Sequence, residues 1–522
     1  MATNGCRTGP GRDGPQRGLP AALDLSHHLN ARSKARHPSP LKDIIKYMAQ
    51  EGMVSLAGGL PHPSLFPIKE ARFSILDPSS SSSPGIQSLG TRDVLLDNDP
   101  ACDPPLTKFL QYGTCEGNET LRRWALAFTR RVHAPAYADF EVLLHPGNTN
   151  AWSKVVGLLV EPGDYILCES FTYPSSQALW IPQGNLAAPV ALDGQGIRDD
   201  ALDEMLSTWD ATHPGARKPH VLYLVGVGSN PTGTTMGRER RRRVYDVCVK
   251  HDVIIVEDDP YYFIQYPEYR IGGGGSTEHG LLPNQQFLGS LAPSFLQFDY
   301  QGRVIRLESF SKTLAPGLRL GYFVANPLFC ERFLRATEVE TQDPSGLSQA
   351  LVLALLRSWT DDDAYLTWLQ RLRVEYQIRR DWLIDAFAQH FRLSPAASSS
   401  KGGAEGIVAS LPRPDGSLCG PIFSFVPPTG GMFMWTKFHL GQNPRFREMQ
   451  ADETVEDAEQ TFADELWAKL VDALGGDVNP AKVRIVDPET TYFRFSFAMV
   501  TKEQMEKGIE RFAAVIRKSW QA

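Results

Sequence analysis

The feature that most constrains the fold is a regular alternation of short apolar runs with stretches of helical character, over residues 106 to 389. The runs are apolar or β-branched along most of their length, as in VLLHPG, DYILCES, VLYLVGV, VIIVEDD, VIRLESF and LGYFVAN. Strands that are apolar on both faces are typical of parallel sheets covered by helices. The alternation therefore predicts an α/β protein with a mostly parallel sheet that has helices on both faces.

Composition divides the chain into four parts. We predict a disordered tail over residues 1–23, which are rich in Gly, Arg and Pro, and an N-terminal segment over 24–105 that includes an arm and a serine-rich loop. A large domain is expected over 106–390, with a long helix that begins near Ser345. The remainder, 391–522, is expected to form a smaller α+β domain together with part of the N-terminal segment.

Some low-complexity and charged stretches are interpreted as surface features. The serines of 79–83, the glycines of 272–275 and the run SSSKGG over 398–403 are expected to be loops without chemistry. The run RERRRR over 238–243 is expected to begin a helix with a solvated face. In the small domain, helices are expected over 454–473 and over 502–518.

Charge and composition argue against several classes of partner. The 522 residues carry 53 basic and 60 acidic side chains, a net charge of −7, which argues against nucleic acid as a partner. No apolar run approaches the roughly 18 residues of a membrane span, and no signal-peptide core is present at the N-terminus. The seven cysteines are scattered without a C-x-x-C pair, so neither a disulfide framework nor a metal site is indicated and a cytoplasmic protein is predicted.

A lysine in the run SFSKTLAPGLRLGY is the first candidate for chemistry. Lys312 follows a strand-like run and a hydroxyl-rich turn, and Arg319 comes seven residues later. The arrangement suits a phosphorylated aldehyde, because an amine forms an imine with an aldehyde. The hydroxyls of Ser309 and Ser311 and the guanidinium of Arg319 can bind the phosphate. Taken alone, the run also fits an ordinary basic loop.

Two further runs supply polar groups that a pyridoxal 5'-phosphate (PLP) site requires. Asn230 begins a rigid NPTG turn after the apolar run VLYLVGVG, so its carboxamide can reach a ligand at the end of a strand. The buried-strand pattern DVIIVEDD ends in Glu257, Asp258 and Asp259. One such carboxylate opposite a pyridine nitrogen would keep that nitrogen protonated. Each run taken alone also fits a plain turn.

A third run, HPGNTNAWSKVVGLL, predicts a strand-to-helix turn with small residues at its tip. Backbone N–H groups at the start of a helix bind anions. A phosphate is therefore expected at Gly147, Asn148 and Thr149.

The motifs, their order and their spacing resemble those of the fold-type I PLP-dependent aminotransferases. The chain is most similar to the fungal aromatic aminotransferases and the kynurenine/2-aminoadipate aminotransferases of one subgroup. Besides the three motifs above, the resemblance rests on DLSHHLN with ARSKARHPSPLK, SLAGGLPHPSLFP, LQYG, GGMFMW and YFRFSF, from about residue 24 to the C-terminus. It implies a large PLP domain with a seven-stranded sheet between helices and a smaller α+β domain.

The resemblance also implies roles around the cofactor ring. Asp258 is the carboxylate opposite the pyridine nitrogen, Tyr173 stacks on the ring, and Tyr261 with Asn230 binds the ring hydroxyl. Lys312, Asp258 and Tyr173 are thus the expected catalytic residues. Thr149 departs from the family pattern, in which glutamine is common at this position.

Substrate and subunit contacts follow from the same resemblance. Arg494 in YFRFSF is expected to bind the α-carboxylate of the amino acid, because a guanidinium makes a two-pronged contact with a carboxylate. Asn230 also contacts this group, and Gly58 and Gly59 line the side-chain pocket. Tyr112 in LQYG corresponds to a tyrosine that reaches the phosphate of the neighbouring subunit, so a homodimer with shared active sites is implied.

The implied reaction is transamination. Lys312 is expected to take the α-proton of the substrate and return it to the cofactor, and the cycle is ping-pong through pyridoxamine phosphate. Phenylalanine, tyrosine and tryptophan are the expected donors and 2-oxoglutarate or another 2-oxo acid the acceptor. Donors such as 2-aminoadipate or kynurenine stay open, as does a lyase or decarboxylase reaction, since fold does not fix chemistry. A PLP-sensing DNA-binding regulator is disfavoured because its extra domain has no room, and a degenerate scaffold because the site residues are retained.

Overall fold

The computed structural model describes residues 18–40, 52, 54, 56, 59–99, 104–272, 280–359, 362–396, 406–413, 415–452, 454–474, 479–480 and 489–521. Most of the predicted tail, the insert over 398–403 and three of the glycines over 272–275 lie outside these residues. No helix in the described ranges is long and apolar enough to cross a membrane.

An antiparallel hairpin precedes the main sheet, formed by β1 (Ala71–Leu76) and β2 (Thr91–Leu96). The serine-rich loop joins these two strands. Arg371, which is 1% exposed, donates hydrogen bonds to the backbone carbonyls of Pro78, Ser81 and Ser83. A buried guanidinium therefore holds the serine-rich loop against the large domain.

The large sheet is mostly parallel and seven-stranded, as predicted. In chain order the strands are β3 (Glu141–His145), β4 (Tyr165–Glu169), β5 (Leu186–Val190), the short pair β6 (Leu192–Asp193) and β7 (Gly196–Ile197), β8 (Val221–Leu224), β9 (Ile254–Asp258), β10 (Val304–Ser309) and β11 (Gly321–Ala325). The pair β6–β7 stands apart, and the sheet order is β3-β11-β10-β9-β8-β4-β5. Only β11 is antiparallel to its neighbours.

The strand order reverses once, and this reversal positions the site. The chain crosses from β3 at one edge of the sheet to β4 and then to β5 at the other edge. It then returns through β8, β9 and β10. Because crossovers between parallel strands are right-handed, helices before and after the reversal cover opposite faces of the sheet. Ligands of such sheets bind beyond the carboxyl ends of the strands near the reversal.

The helices of the large domain join these strands and extend the chain toward its C-terminal part. Their bounds are Leu106–Leu110, Glu119–His133, Asn148–Leu159, Pro174–Trp180, Asp199–Ser207, Trp209–Thr212, Arg238–Lys250, Asn284–Ser290, Pro327–Glu340, Gly346–Ser358 and Asp362–His390. The long helix predicted from Ser345 is two helices, since the first ends at Ser358 and the second begins at Asp362. The indole of Trp359, at the end of the first helix, donates a hydrogen bond to the carbonyl of Leu76 at 2.9 Å.

The C-terminal part contains a second, antiparallel sheet. Its strands are β12 (Arg392–Pro395), β13 (Ile407–Pro412), β14 (Leu418–Phe425), β15 (Phe433–His439), β16 (Asn479–Pro480) and β17 (Thr490–Ser496), in the order β12-β13-β14-β15-β17-β16. Three helices accompany it, Pro444–Asp452, Val455–Leu474 and Lys502–Trp520. The last two match the helices predicted over 454–473 and 502–518. Buried apolar side chains of both sheets form one continuous cluster.

The N-terminal segment begins on the large domain. Helix Ala31–Lys34 is capped by Asn30, whose amide nitrogen donates hydrogen bonds of 3.0 Å to the carbonyls of Gly157 and Val160. His27 and His28 both contact the carboxylate of Asp252, at 2.7 and 3.1 Å. These contacts hold the segment onto the sheet domain.

Candidate active site

The carboxyl ends of the central strands and the Lys312 turn enclose a cavity of about 280 Å³. Most of the predicted site residues line it, namely Asn148, Thr149, Tyr173, Asn230, Asp258, Tyr261, Ser309, Ser311, Lys312 and Arg319. They come from turns that are up to 171 positions apart in the sequence, from 148 to 319. The strand ends therefore bring into one place the three motifs that the sequence separates.

Asp258 is the acid of the EDD run that faces the cavity. Its two oxygens accept hydrogen bonds from the Asn148 amide at 2.6 Å and from the Tyr223 hydroxyl at 2.7 Å. Burial raises the pKa of the Asp258 carboxyl above its usual value, and the two hydrogen bonds oppose that rise. A cationic ring nitrogen beside this carboxylate would stabilise its charged form.

The two neighbouring acids point away from Asp258, because side chains alternate along an extended strand. Glu257 forms ion pairs with Arg241 at 2.6 Å and with Arg306 at 2.9 Å. Asp259 lies 3.4 Å from Arg306. Burial raises the pKa of Asp259 to about 7. Both acids thus belong to a buried charge cluster, which leaves Asp258 as the one directed into the cavity.

An anion cradle lies at the start of helix Asn148–Leu159. Gly147 has a φ of +94°, and a Cβ there would lie 2.1 Å from Nη2 of Arg319. The missing side chain lets this guanidinium approach the helix start, where its Nη2 donates to the carbonyl of Pro146 at 3.2 Å. The hydroxyls of Ser309 and Ser311 lie 2.9 Å apart in the adjoining turn. Cation, hydroxyls and helix N-terminus are suited together to phosphate.

Lys312 is half-buried in the same turn, directly after the two serines. Burial lowers the pKa of its ammonium group below the usual value, and the charge of Arg319 lowers it further. A lysine with a depressed pKa is more often neutral, and the neutral amine is the form that attacks carbonyls and accepts protons.

Two tyrosines stand on the walls of the cavity. Tyr173 caps helix Pro174–Trp180, and its carbonyl accepts a hydrogen bond from Ser176 at 2.6 Å. Tyr261 is 5% exposed and meets Phe433 edge-on, with ring centroids 6.1 Å apart. Burial raises the pKa of Tyr261, and the charge of Asp258 adds to this rise. The phenol is therefore a hydrogen-bond donor at neutral pH.

Arg494 reaches the cavity from the small domain. It lies on β17 opposite Trp435 of β15, and its Nη1 donates to Oδ1 of Asn230 at 2.7 Å. The guanidinium carbon sits 4.6 Å from the ring centroid of Phe433. Burial lowers the pKa of Arg494 below its usual value, although an arginine stays charged at neutral pH. A fixed cation beside a carboxamide is a receptor for a carboxylate.

Glycines allow the two domains to meet at this point. A Cβ on Gly228, in the turn before Asn230, would lie 2.3 Å from the backbone nitrogen of Gly431. A Cβ on Gly233 would lie 2.5 Å from the carbonyl of Phe433. The NPTG and GGMFMW motifs are thus two loops in backbone contact, and this contact aligns Asn230 with Arg494.

Some of the predicted site residues do not line the cavity, and another lies outside the described residues. Tyr112 is 60% exposed and lies in a second depression, with residues 341–346. Gly59 is exposed and is not among the residues that line the cavity. Gly58 lies outside the described residues.

Several cavity residues were missed from the sequence. Tyr223 bonds Asp258, Phe433 covers Arg494, and Trp152 lies 4.6 Å from Tyr223 between ring centroids. All three lie in apolar runs whose pattern is typical of core packing. Their positions could have indicated a role at the site, because Tyr223 is on the strand next to the EDD strand and Phe433 is within the GGMFMW motif.

The donor set fits a phosphorylated pyridine aldehyde. Among the described residues, Oδ1 of Asn148 and Nε of Arg494 are buried polar atoms without a protein partner. The cavity offers a carboxylate for a pyridine nitrogen, an amine for an aldehyde and a cradle for a phosphate. The residues present therefore fit PLP.

His145, at the end of β3 beside the cradle, predicts an acid limit to stability. Burial lowers its pKa to about 3, and its Nδ1 accepts a hydrogen bond from the N–H of Gly147 at 3.1 Å, so it stays neutral when folded. The unfolded chain binds this proton from pH 6.5 downward, so unfolding free energy is lost as pH falls from 6.5 toward 3. In His145→Asn, the slope of unfolding free energy against pH should be smaller than in the wild type by up to about 1.4 kcal/mol per pH unit.

Urea unfolding between pH 5 and 7 measures this slope. His62→Asn changes an exposed histidine and serves as the control. An unchanged slope in His145→Asn would contradict the assignment.

Comparisons with known proteins agree with this geometry. Residues 106–512 match the family model for aminotransferases of class I and II. An aromatic amino acid aminotransferase of Schizosaccharomyces pombe is 35% identical over 501 residues, which are 95% of this chain and 98% of the relative. An L-tyrosine:2-oxoglutarate aminotransferase of Serpula lacrymans is 33% identical over 86% of this chain and 82% of the relative. The crystal structure of the aminotransferase Aro8 of Candida albicans superposes with a TM-score of 0.83 at 33% identity, over 96% of this chain and 100% of that one.

Proposed function

Because this chain belongs to the class I and II aminotransferases and works with PLP, we propose that it moves the amino group of aromatic amino acids to 2-oxoglutarate. The observation that carries this proposal is that Arg494 bonds Asn230, which lines one aromatic cavity together with Lys312 and Asp258. Phe433, Tyr173 and Trp152 line that cavity and suit a flat apolar side chain. The S. pombe and Serpula relatives, named for aromatic and tyrosine substrates, support the same donors.

The residues around the ring and phosphate would hold the cofactor. Asp258 would bind the pyridine nitrogen, Tyr173 would stack on the ring, and Asn230 with Tyr261 would bind the ring hydroxyl. The phosphate would lie on the anion cradle, formed by Gly147, Asn148, Thr149, Ser309, Ser311 and Arg319. When bound, PLP supplies the aldehyde that links to an amine and the ring that withdraws electrons from the α-carbon.

The proton transfer belongs to Lys312. Arg494 would fix the α-carboxylate and Asp258 the far end of the ring, so the α-carbon is held near the Lys312 amine. The lowered pKa of Lys312 keeps a larger share of that amine neutral and able to accept the α-proton. The same amine would return the proton to the cofactor side, which makes Lys312 both base and acid.

Arg494→Lys tests the carboxylate receptor. The substitution keeps the charge but removes the two-pronged contact, so KM for the amino donor should rise about 10- to 100-fold, the equivalent of one or two charge-assisted hydrogen bonds. Steady-state kinetics measure this change. Arg447→Lys, an exposed arginine of the small domain, should leave KM as it is. An unchanged KM in Arg494→Lys would remove Arg494 from substrate binding.

A homodimer with shared sites is also proposed. Arg319 is exposed in the single chain, so one side of the anion cradle is open to a second subunit. Tyr112, also exposed, is the group we expect a partner to place there. Tyr112→Phe should weaken PLP binding several-fold while the mass measured by light scattering stays that of a dimer. A monomeric wild type, or unchanged PLP affinity, would contradict the proposal.

A second candidate substrate class is 2-aminoadipate and kynurenine. A mouse kynurenine/alpha-aminoadipate aminotransferase is 27% identical over 95% of this chain and 100% of the relative, which supports this alternative. A cytoplasmic location is proposed as well, because the described cysteines are buried and form no disulfide among themselves.

A donor panel decides between the two classes. Purified enzyme with 2-oxoglutarate is given tyrosine, phenylalanine, tryptophan, 2-aminoadipate and kynurenine in turn, and glutamate formation is measured. The highest kcat/KM is expected for tyrosine, phenylalanine or tryptophan. A clear preference for 2-aminoadipate or kynurenine would replace the proposal, and absence of turnover with every donor would contradict both.

A further inference from the structure

Glu169 is a further buried carboxyl beside the site, and it stands at the carboxyl end of β4. It is 2% exposed, and its Oε2 accepts hydrogen bonds from the Ser229 hydroxyl at 3.0 Å and from the N–H of Val225 at 3.4 Å. Burying a carboxyl is costly, and the cost is offset only in part by such bonds. None of the roles proposed above uses this group.

Ser229 joins Glu169 to the substrate end of the cavity. It directly precedes Asn230 and is fully buried, and its backbone closes the NPTG turn through hydrogen bonds with Thr234 at 2.9 Å and Gly233 at 2.6 Å. Its side chain is directed to Glu169. The turn is therefore tied to the end of β4 at the residue next to Asn230, whose Oδ1 accepts from Arg494 at 2.7 Å.

We propose that Glu169 is a positioning residue for the substrate carboxylate, because through Ser229 it holds the turn that directs Asn230 at Arg494. The inference rests on the proposed function, since it assigns the carboxylate to Arg494 and Asn230. Glu169 acts through Ser229 and not by direct contact with the substrate. Its loss is expected to change substrate binding more than the proton transfer at Lys312.

The positioning depends on pH. Burial raises the pKa of Glu169 to about 7, and the hydrogen bonds from Ser229 and Val225 oppose that rise. Among the described residues, the Tyr223 phenol and the Cys168 thiol interact electrostatically with it, and burial raises the pKa of both, so they are neutral near pH 7. Above about pH 7 an ionised Glu169 is the stronger acceptor for Ser229. Below it, the protonated carboxyl holds the turn less firmly.

The test measures binding apart from turnover. The probe is α-methylphenylalanine, which has the carboxylate and amine of a substrate but no α-proton, and the readout is the absorbance change of the holoenzyme on titration. Ser229→Ala should raise the dissociation constant about tenfold, the worth of roughly one hydrogen bond to a charged group. Glu169→Gln should make the affinity vary less between pH 6 and 8 than it does in the wild type, because the amine of the probe ionises alike with both enzymes.

The controls separate positioning from folding. Ser170→Ala removes the neighbouring hydroxyl, which bonds the carbonyl of Val190, and should leave both readouts unchanged. The double variant Glu169→Gln/Ser229→Ala should bind the probe about as weakly as Ser229→Ala alone, since Glu169 acts on the turn through Ser229. Ser229→Ala alone remains informative should Glu169→Gln fold poorly.

Two results would overturn the inference: an unchanged dissociation constant in Ser229→Ala, or a pH dependence of affinity between pH 6 and 8 that Glu169→Gln leaves the same as in the wild type. Failure of the proposed function looks different. In that case the wild type itself does not bind the probe, or binds it equally well after Arg494→Lys.

Discussion

Replacing Lys312 with alanine is expected to remove nearly all turnover. The amine is both the group that binds the cofactor aldehyde and the base that moves the α-proton, and loss of the base alone costs about 10²- to 10⁴-fold. The variant should also lose the visible absorbance of lysine-bound PLP. Single-turnover absorbance measurements with an aromatic donor report both losses.

Two comparisons make this result specific. Lys312→Arg keeps a cation in the turn beside Arg319 but offers no amine, so it should lose turnover as fully as the alanine variant. Lys218→Ala removes a lysine that bonds His251 ahead of β8 and β9, at their amino ends and outside the cavity, and should leave turnover and absorbance unchanged. Transamination retained by Lys312→Ala would remove Lys312 from the mechanism.

The part of the site that lies at strand ends could be predicted from the sequence. Asn230, Asp258 and Lys312 each follow an apolar run, and the carboxyl ends of parallel strands meet at one edge of the sheet. Asp258 could be chosen over Glu257 and Asp259 only by resemblance. The structure supplies the physical reason, since Arg241 and Arg306 hold the other two acids.

Packing between distant segments could not be predicted in the same way. The RERRRR run was expected to be a solvated helix face, and this was wrong for two of its arginines. Arg240 is 8% exposed and pairs with Asp193, while Arg241 is fully buried against Glu257. Their acidic partners lie on other elements, so the helical periodicity of the run could not predict that these two arginines are buried.

Close backbone approach is also invisible in a single sequence. The sequence places NPTG and GGMFMW about 200 residues apart, at 230 and 430, and nothing local indicates that Gly228 and Gly431 touch. The contact that follows helix Gly346–Ser358 is similar. The Trp359 indole donates a hydrogen bond to the hairpin carbonyl of Leu76, 283 positions away in the sequence, and nothing local indicates this contact.

Replacing Asp258 with asparagine is expected to be the second most damaging change. The amide can still meet Asn148 and Tyr223, so the fold is kept, but the negative charge opposite the ring nitrogen is lost. Removing one preorganised electrostatic group of this kind costs about 10²- to 10³-fold in kcat. Steady-state kinetics on the PLP-loaded variant measure the loss.

Asp259→Asn makes the matching comparison one residue away. Asp259 faces Arg306, which keeps ion pairs with Glu257 and Glu308 after the substitution, so the charge cluster retains its balance. Turnover per folded enzyme should stay close to the wild-type value, and any effect should appear as a lower melting temperature. If instead Asp259→Asn lost activity and Asp258→Asn kept it, the carboxylate for the cofactor would be the other acid. That outcome would contradict the structure, because Asp258 is the one acid of the EDD run that lines the cavity with Lys312.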